Sequence, residues 1–186
     1  DLIVSCGTLD AVNDLPGAFI AMNRALRPDG LLLVSFVGAG SLPQLRAALF
    51  AGDGERIAQR LHPQVEVRAL GDLLYRAGFA MPVADHERLT VRYGSIFPLM
   101  ADLRGMGSAQ CLASQPPPLS RAGLARAAAA FAAAADPDGR TSETFMLLHG
   151  SGWRPAPDQP RPARRGSGKM SLAKALKSRI EPERKN

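Results

Sequence analysis

Lysine is missing from residues 1–153, where thirteen arginines stand against fourteen aspartates and glutamates for a net charge of −1. Residues 154–186 hold ten lysines or arginines against three acids, a balance of +7, so the overall charge of +6 belongs to this C-terminal segment. A nucleic-acid-binding domain concentrates its basic residues in a patch or stripe on the folded body. The charge distribution therefore predicts no nucleic-acid partner for residues 1–153.

Long apolar runs, paired cysteines and clustered histidines are also missing. No apolar run approaches the roughly 18 residues that a membrane-spanning helix needs, so no transmembrane segment is expected. Cys6 and Cys111 are far apart and form no CxxC motif, which indicates reduced thiols in a reducing compartment. His62, His86 and His149 lack the spacing of metal ligands, so we predict no metal site and interpret them as solvated or hydrogen-bonded side chains.

The first third of the chain has the pattern of a strand–helix–strand unit. The runs "DLIVS" and "LLLVSF" are typical of strands buried on both faces. Between them, Asn13 or Asp14 is a candidate helix N-cap, and "RPDG" ends the helix. The helix carries one apolar stripe, formed by Leu15, Phe19, Met22 and Leu26. The unit predicts a parallel strand pair with a right-handed crossover.

The later segments predict a mixture of helices and strands. In chain order we expect a helix over 42–50, a short helix over 72–77 followed by a left-handed Gly78, strands in "FAMPVAD" and "ERLTVRY", a helix with an apolar face over 96–103, an alanine-rich helix capped by Ser120, and a last buried strand in "ETFMLLHG". From residue 154 the chain is basic, rich in proline and free of aromatic residues, which predicts a largely disordered tail over 154–186. Such a tail either keeps the protein soluble or contacts an acidic partner or a membrane surface.

These segments resemble, in order, the C-terminal half of a class I S-adenosylmethionine-dependent methyltransferase. The stretches that carry the resemblance are "DLIVS…NDLPGAFIAMNRALRPDGLLLVSF", "GSLPQLRAAL", "LGDLLYRAGFAMPVAD", "LTVRYGSIFPLMADLRGMGS" and "RTSETFMLLHGSGW". They are similar to the group that contains the malonyl-carrier-protein O-methyltransferase of biotin synthesis and the complex I assembly factor that hydroxylates an arginine. The resemblance implies an α/β fold for residues 1–153, the C-terminal portion of a Rossmann-like doubly wound sheet, with a helical lid at about residues 95–140 before the last strand.

In this family a Gly-rich loop and an acid at the end of the second strand hold the cofactor, and both would lie upstream of Asp1. The segment "VGAGSLP" does not replace the loop, because Pro43 stands where the third glycine belongs. We therefore expect residues 1–186 to be an incomplete methyltransferase that is inactive alone, with unpaired sheet edges at its first and last strands.

The resemblance also assigns candidate site residues, although it identifies no catalytic residue. The cofactor, S-adenosylmethionine, is expected against the end of the first strand, at Ser5, Cys6, Gly7 and Thr8. The expected substrate-binding residues are Asp10, for which a loop or capping role is the alternative, and, in the lid, Tyr93, Arg104 and Met106. Ligands of doubly wound sheets bind at the carboxyl ends of the strands, which is where Ser5 to Asp10 stand.

Three functions follow from the resemblance. The first is methyl transfer to a small acid or to a protein side chain, which depends on alignment and needs no conspicuous catalytic dyad. The second is arginine hydroxylation by a relative of the assembly factor. The third is partner binding by a non-catalytic remnant. A cytoplasmic location is expected, or the mitochondrial matrix if the source is eukaryotic.

Overall fold

The computed structural model describes residues 1–56, 58–107, 115–157 and Ser171. The predicted tail lies almost entirely outside these residues, as does Cys111. The compact unit ends at Ala156. Arg154, which the sequence assigned to the tail, is part of that unit, because its backbone amide donates to Gly30 O at 2.8 Å and its guanidinium donates to Arg24 O and Leu26 O.

The described residues form four strands and five α-helices. They are β1 Leu2–Cys6, α1 Leu15–Ala25, β2 Leu31–Val37, α2 Pro43–Asp53, α3 Val67–Arg76, β3 Ala80–Tyr93, α4 Ile96–Gly105, α5 Arg121–Ala133 and β4 Thr141–Trp153, with one 3-10 turn over Leu9–Ala11. The helix predicted over 72–77 begins earlier, at Val67. The two strands predicted between 79 and 93 are one strand, which is irregular where Ala80 and Val83 pair with β4.

Local sequence determines α1. The Asp14 carboxylate accepts a hydrogen bond from Gly17 N at 2.9 Å, as a helix N-cap does, and Pro16 lies in the first turn. The apolar stripe predicted for this helix faces the sheet, with Phe19 fully buried. The helix therefore forms and packs as its sequence predicts.

The strand order of the sheet is β1-β2-β4-β3. β1 and β2 are parallel, as predicted, while β4 is antiparallel to both of its neighbours, β2 and β3. The prediction that the last strand exposes an edge is therefore wrong, because β4 returns between β2 and β3. Among the described strands the edges belong to β1 and β3.

The prediction that β1 and β2 are buried on both faces is also wrong. One face packs against α1 and α3 through Leu32, Val34 and Phe36. Side chains alternate across a strand, and on the other face of β1 Leu2 is 57% and Val4 56% exposed, while on that face of β2 Leu33 is 39% exposed and its neighbours are half-buried. None of the described helices covers that part of the sheet, so both strands bury one face only.

A second core lies at the other end of β4, where α2, α4 and α5 cover the opposite face of the sheet. It includes a buried charge-bearing side chain, because Glu143 of β4 is fully enclosed. Its carboxylate accepts hydrogen bonds from Leu45 N at 2.8 Å and Gln44 N at 3.3 Å, both in the first turn of α2. A carboxylate there satisfies amide groups that no residue within the helix can reach. Glu143 thus joins α2 to the sheet.

Candidate functional site

The β1 strand ends in an exposed turn built from small residues. Gly7 adopts φ +66, and its amide donates to Ser35 O of β2 at 2.8 Å. The Thr8 hydroxyl donates to Cys6 O at 3.3 Å, and the Cys6 thiol is free and exposed. A side chain added at Gly7 would meet no atom within 4 Å. The turn therefore borders open space at the carboxyl end of a parallel strand, as predicted for Ser5 to Thr8.

Asp10 lies on the 3-10 turn that follows and lines a cavity of about 250 Å³. The wall is mainly apolar and includes Leu9, Phe36 and Val65, with Asn13 and His62 as its other polar side chains. An apolar cavity with a few polar groups is the usual form of a small-ligand site. The structure thus places Asp10 in a cavity wall, next to the turn at the end of β1.

A second, smaller cavity of about 60 Å³ adjoins the first, since Asp10, Val37 and His62 line both. Its remaining wall includes Leu103 of α4 and Phe145 of β4. The 3-10 turn that follows β1, the end of β2 and α4 therefore meet at one place. His62 comes to this place from the 58–64 segment, and no motif in the sequence marks it.

An ion pair fixes the segment that carries His62. Arg60 donates to both Asp53 oxygens, at 2.6 and 2.5 Å, and to Pro117 O at 3.0 Å. The two side chains are 12% and 3% exposed. The hydrogen bonds from Arg60 hold the pKa of Asp53 below its ordinary value; burial opposes this, and the charges of Arg60 and Arg56 add to it. A bidentate pair of this kind restricts the segment to one geometry.

We expect this ion pair to survive mild acid. Because the pKa of Asp53 is lower in the folded chain, the pair stabilises fully above the unfolded value, near 3.8, and its contribution is lost as the pH falls through the folded value. Carboxyl carbon NMR measures the Asp53 midpoint directly. In Arg60→Gln the midpoint should rise, and an equal midpoint in the two proteins would show that Arg60 does not hold the carboxylate.

The other predicted substrate residues do not line these two cavities. Tyr93 is buried in the second core, and burial together with a hydrogen bond to Asp102 raises its pKa to about 12, with the charges of Asp102 and Glu143 contributing. Its phenol therefore stays protonated at neutral pH. Arg104 and Met106 are exposed at the end of α4, one residue and three residues beyond Leu103, which lines the smaller cavity. Their assignment to the substrate stays a prediction, as does the action of α4 and α5 as a lid.

Helices that could span a membrane and clusters that could bind a metal are both absent from the described part of the chain. None of its helices is long and apolar enough to cross a bilayer. Its histidines, cysteines and acids form no group of three that could hold a metal ion.

Comparison with known proteins identifies homologues of the chain. The mitochondrial arginine-hydroxylase NDUFAF5 of Danio rerio is 36% identical over 177 residues, which are 93% of this chain and 55% of that protein. The malonyl-[acyl-carrier protein] O-methyltransferase of Gallionella capsiferriformans is 34% identical over 158 residues, 84% of this chain and 53% of that protein. The crystal structure of YcgJ from Bacillus subtilis shares the fold at a TM-score of 0.51 and 13% identity, over 84% of this chain and 64% of that one.

No protein-family profile matches the chain. The chain spans about half the length of the curated relatives it matches. The alignments to both kinds of relative confirm the resemblance that the sequence motifs indicate. The chain is a homologue of the group that contains the NDUFAF5 arginine hydroxylases and the malonyl-[acyl-carrier protein] O-methyltransferases, and its sheet has a Rossmann-like α/β fold.

Proposed function

We propose that this chain supplies the acceptor-binding part of an S-adenosylmethionine-dependent methyltransferase. The observation that carries the proposal is the position of the cavity that Asp10 lines, directly beyond the carboxyl ends of β1 and β2. Ligands of doubly wound sheets bind at that edge. The O-methyltransferases among the relatives support methyl transfer as the reaction. In this proposal the acceptor, a small acid or a protein side chain, enters the cavity.

The turn at Ser5, Cys6, Gly7 and Thr8 fits S-adenosylmethionine by its size and exposure. Its side chains are small, and the space beside Gly7 is open. Backbone carbonyls near this turn suit a positively charged sulfonium. When bound there, the cofactor would supply an electrophilic methyl group from its sulfonium.

The residues of this chain would then position the acceptor. The apolar wall around Leu9, Phe36 and Val65 excludes water, and Asp10 accepts a hydrogen bond from the entering group. Methyl transfer gains most of its rate from such alignment. None of the described residues is assigned a covalent step.

Arginine hydroxylation is the second candidate, because relatives that carry this name align with 93% of the chain. Both candidates place the acceptor in the same cavity. We infer a location in the cytoplasm, or in the mitochondrial matrix for a eukaryotic source, since these relatives are named mitochondrial. Contact of the basic tail with an acidic partner or membrane surface stays a prediction.

Mass spectrometry of the acceptor distinguishes the candidates. The protein is expressed with whatever in-frame sequence precedes Asp1 in its gene. It is then incubated with S-adenosylmethionine and a cell extract that contains candidate acceptor proteins and small acids. A gain of one CH2 unit supports methyl transfer, and a gain of one oxygen supports hydroxylation. Cofactor binding without either gain, or no binding at all, would favour the partner-binding remnant and overturn the proposal.

A pair of glycine variants tests the cofactor position. Gly7 and Gly139 both have positive φ and open space where a side chain would stand, but Gly139 lies in the turn before β4. We expect Gly7→Asn to weaken S-adenosylmethionine binding about tenfold in calorimetry, a change of about 1.4 kcal/mol, and Gly139→Asn to leave it unchanged. Asparagine tolerates this backbone conformation, so both variants should fold. If the two variants bind S-adenosylmethionine with equal affinity, the cofactor does not bind at this turn.

A further inference from the structure

His62 lies where three cavities meet. It lines the cavities of about 250 and 60 Å³ that Asp10 also lines, and a third of about 170 Å³ that is lined by residues 58–64. His62 is therefore part of the wall of all three spaces. The ion pair of Arg60 with Asp53 and the bond from Arg60 to Pro117 O hold this segment in place.

The contacts of the ring determine which nitrogen carries hydrogen. Nδ1 lies 3.2 Å from Pro63 O. A carbonyl oxygen only accepts hydrogen bonds, so Nδ1 is the donor and, in the neutral ring, Nε2 is an acceptor. Nε2 is buried and has no hydrogen-bond partner among the described residues. Buried polar nitrogens are nearly always paired in folded proteins, so an orphaned acceptor in a cavity wall requires an explanation.

Asp10 is the second polar residue that lines both cavities, and it also prefers a ligand that donates hydrogen bonds. Asp10 lines both cavities with His62, and an ionised carboxylate also only accepts hydrogen bonds. Two acceptors in this wall, whose other polar side chains are Asn13 and Gln64, favour a ligand that brings N–H or O–H groups. They disfavour a ligand that brings a second carboxylate, because the charge of Asp10 repels it and neither Asp10 nor Nε2 can donate to it.

We propose that His62, together with Asp10, selects the acceptor group by demanding a hydrogen-bond donor, such as a guanidinium, amide or hydroxyl, and by rejecting a free carboxylate. The inference rests on the proposed function only in placing the acceptor in this cavity. His62 is a positioning residue: a ligand that opens the wall between the two cavities reaches Nε2 and satisfies it. This preference separates the two acceptor classes, small acid and protein side chain.

Histidine-selective 15N NMR of the full protein tests the proposal with three small probes. N-acetyl-arginine amide offers donors on its side chain and backbone, methyl hexanoate offers an apolar chain without any donor, and malonate offers carboxylates. We expect the first probe to shift the Nε2 resonance of His62 and the other two to leave it unchanged. Equal shifts with all three probes, or a larger shift with malonate, would overturn the proposal.

Variants separate selection from structure. His62→Phe should weaken binding of the arginine probe about tenfold, and His62→Gln, which keeps an acceptor, should recover most of it. His86→Phe is the matched control, since His86 is exposed on β3, and should change nothing. If His62→Gln binds no better than His62→Phe, the acceptor role is wrong. If His62→Phe does not fold, the resonance of the native protein still decides the question.

Cofactor calorimetry on the same samples keeps the two proposals apart. Cofactor binding without a preference for the donor probe would overturn the role of His62 and leave the proposed function standing. A preference for the donor probe without cofactor binding would overturn the proposed function and leave the role of His62 standing. Failure of both measurements would overturn both proposals.

Discussion

Replacing Glu143 with alanine should lower the free energy of unfolding by about 3 kcal/mol, more than an ordinary surface charge contributes. Its carboxylate accepts hydrogen bonds from Leu45 N and Gln44 N, and also from its own neighbour Thr144 N at 3.0 Å. Alanine would leave the first-turn amides of α2 buried without a partner. Each such donor costs about 1–3 kcal/mol, which exceeds the loss of an exposed helix cap. Urea unfolding followed by circular dichroism measures the difference.

Two variants show whether the effect comes from this contact. Glu143→Gln keeps one acceptor oxygen and should lose less stability than Glu143→Ala. Glu87→Ala removes an exposed glutamate whose carboxylate is 3.8 Å from His149 Nε2, and it should change stability by less than about 0.5 kcal/mol. A Glu143→Ala protein as stable as Glu87→Ala would mean that water or another group replaces the carboxylate at the start of α2.

Elements with local causes could be predicted from the sequence. The cap at Asp14, the stripe of α1 and the cap of α5, where the Ser120 hydroxyl accepts from Gly123 N at 3.0 Å, all involve residues within one or two helical turns. The parallel pairing of β1 with β2 also follows from the short strand–helix–strand unit. The turn at the end of β1 could be predicted for the same reason, because its residues are consecutive.

Features that depend on distant contacts could not be predicted. Glu143 looks like an ordinary polar position of an alternating strand, yet its partner Leu45 is 98 residues away. The burial of β1 and β2 depends on which helices cover each face of the sheet. The sequences of the two strands do not determine this. The insertion of β4 between β2 and β3 depends on the whole sheet.

The position of His62 could not be predicted from the sequence for a similar reason. The stretch from 52 to 66 has no periodicity, so nothing in it predicts where a side chain points. Its geometry comes from the contact of Arg60 with Asp53 and Pro117, the second of which is 57 residues further along the chain. His62 belongs to no sequence motif, so only the folded structure shows that it lines the candidate site.

Valine at Gly150 should destabilise the protein by about 3 kcal/mol, near the upper end of the usual cost of overpacking. The alternation of "GSG" puts Gly150 and Gly152 on one face of β4, and α3 packs against that bare backbone. A Cβ at Gly150 would lie 2.8 Å from Val34 Cγ2, 3.2 Å from Leu70 Cδ2 and 3.3 Å from Leu74 Cδ1. All three side chains are fully buried or nearly so, and Leu70 and Leu74 cannot move aside without shifting α3.

Ser151→Val is the matched control, because its side chain points to the opposite, uncovered face of the same strand. It should alter stability by less than about 0.5 kcal/mol. Truncating one of the crowding partners on α3 should recover part of the loss, so Gly150→Val and Leu70→Ala together should cost less than the sum of the two changes. The same shift of α3 would disturb Leu73 in the wall of the 250 Å³ cavity, so ligand binding there should weaken with stability. If the losses of stability from the two substitutions are additive, α3 does not pack against β4 at Gly150, and other contacts fix the cavity wall.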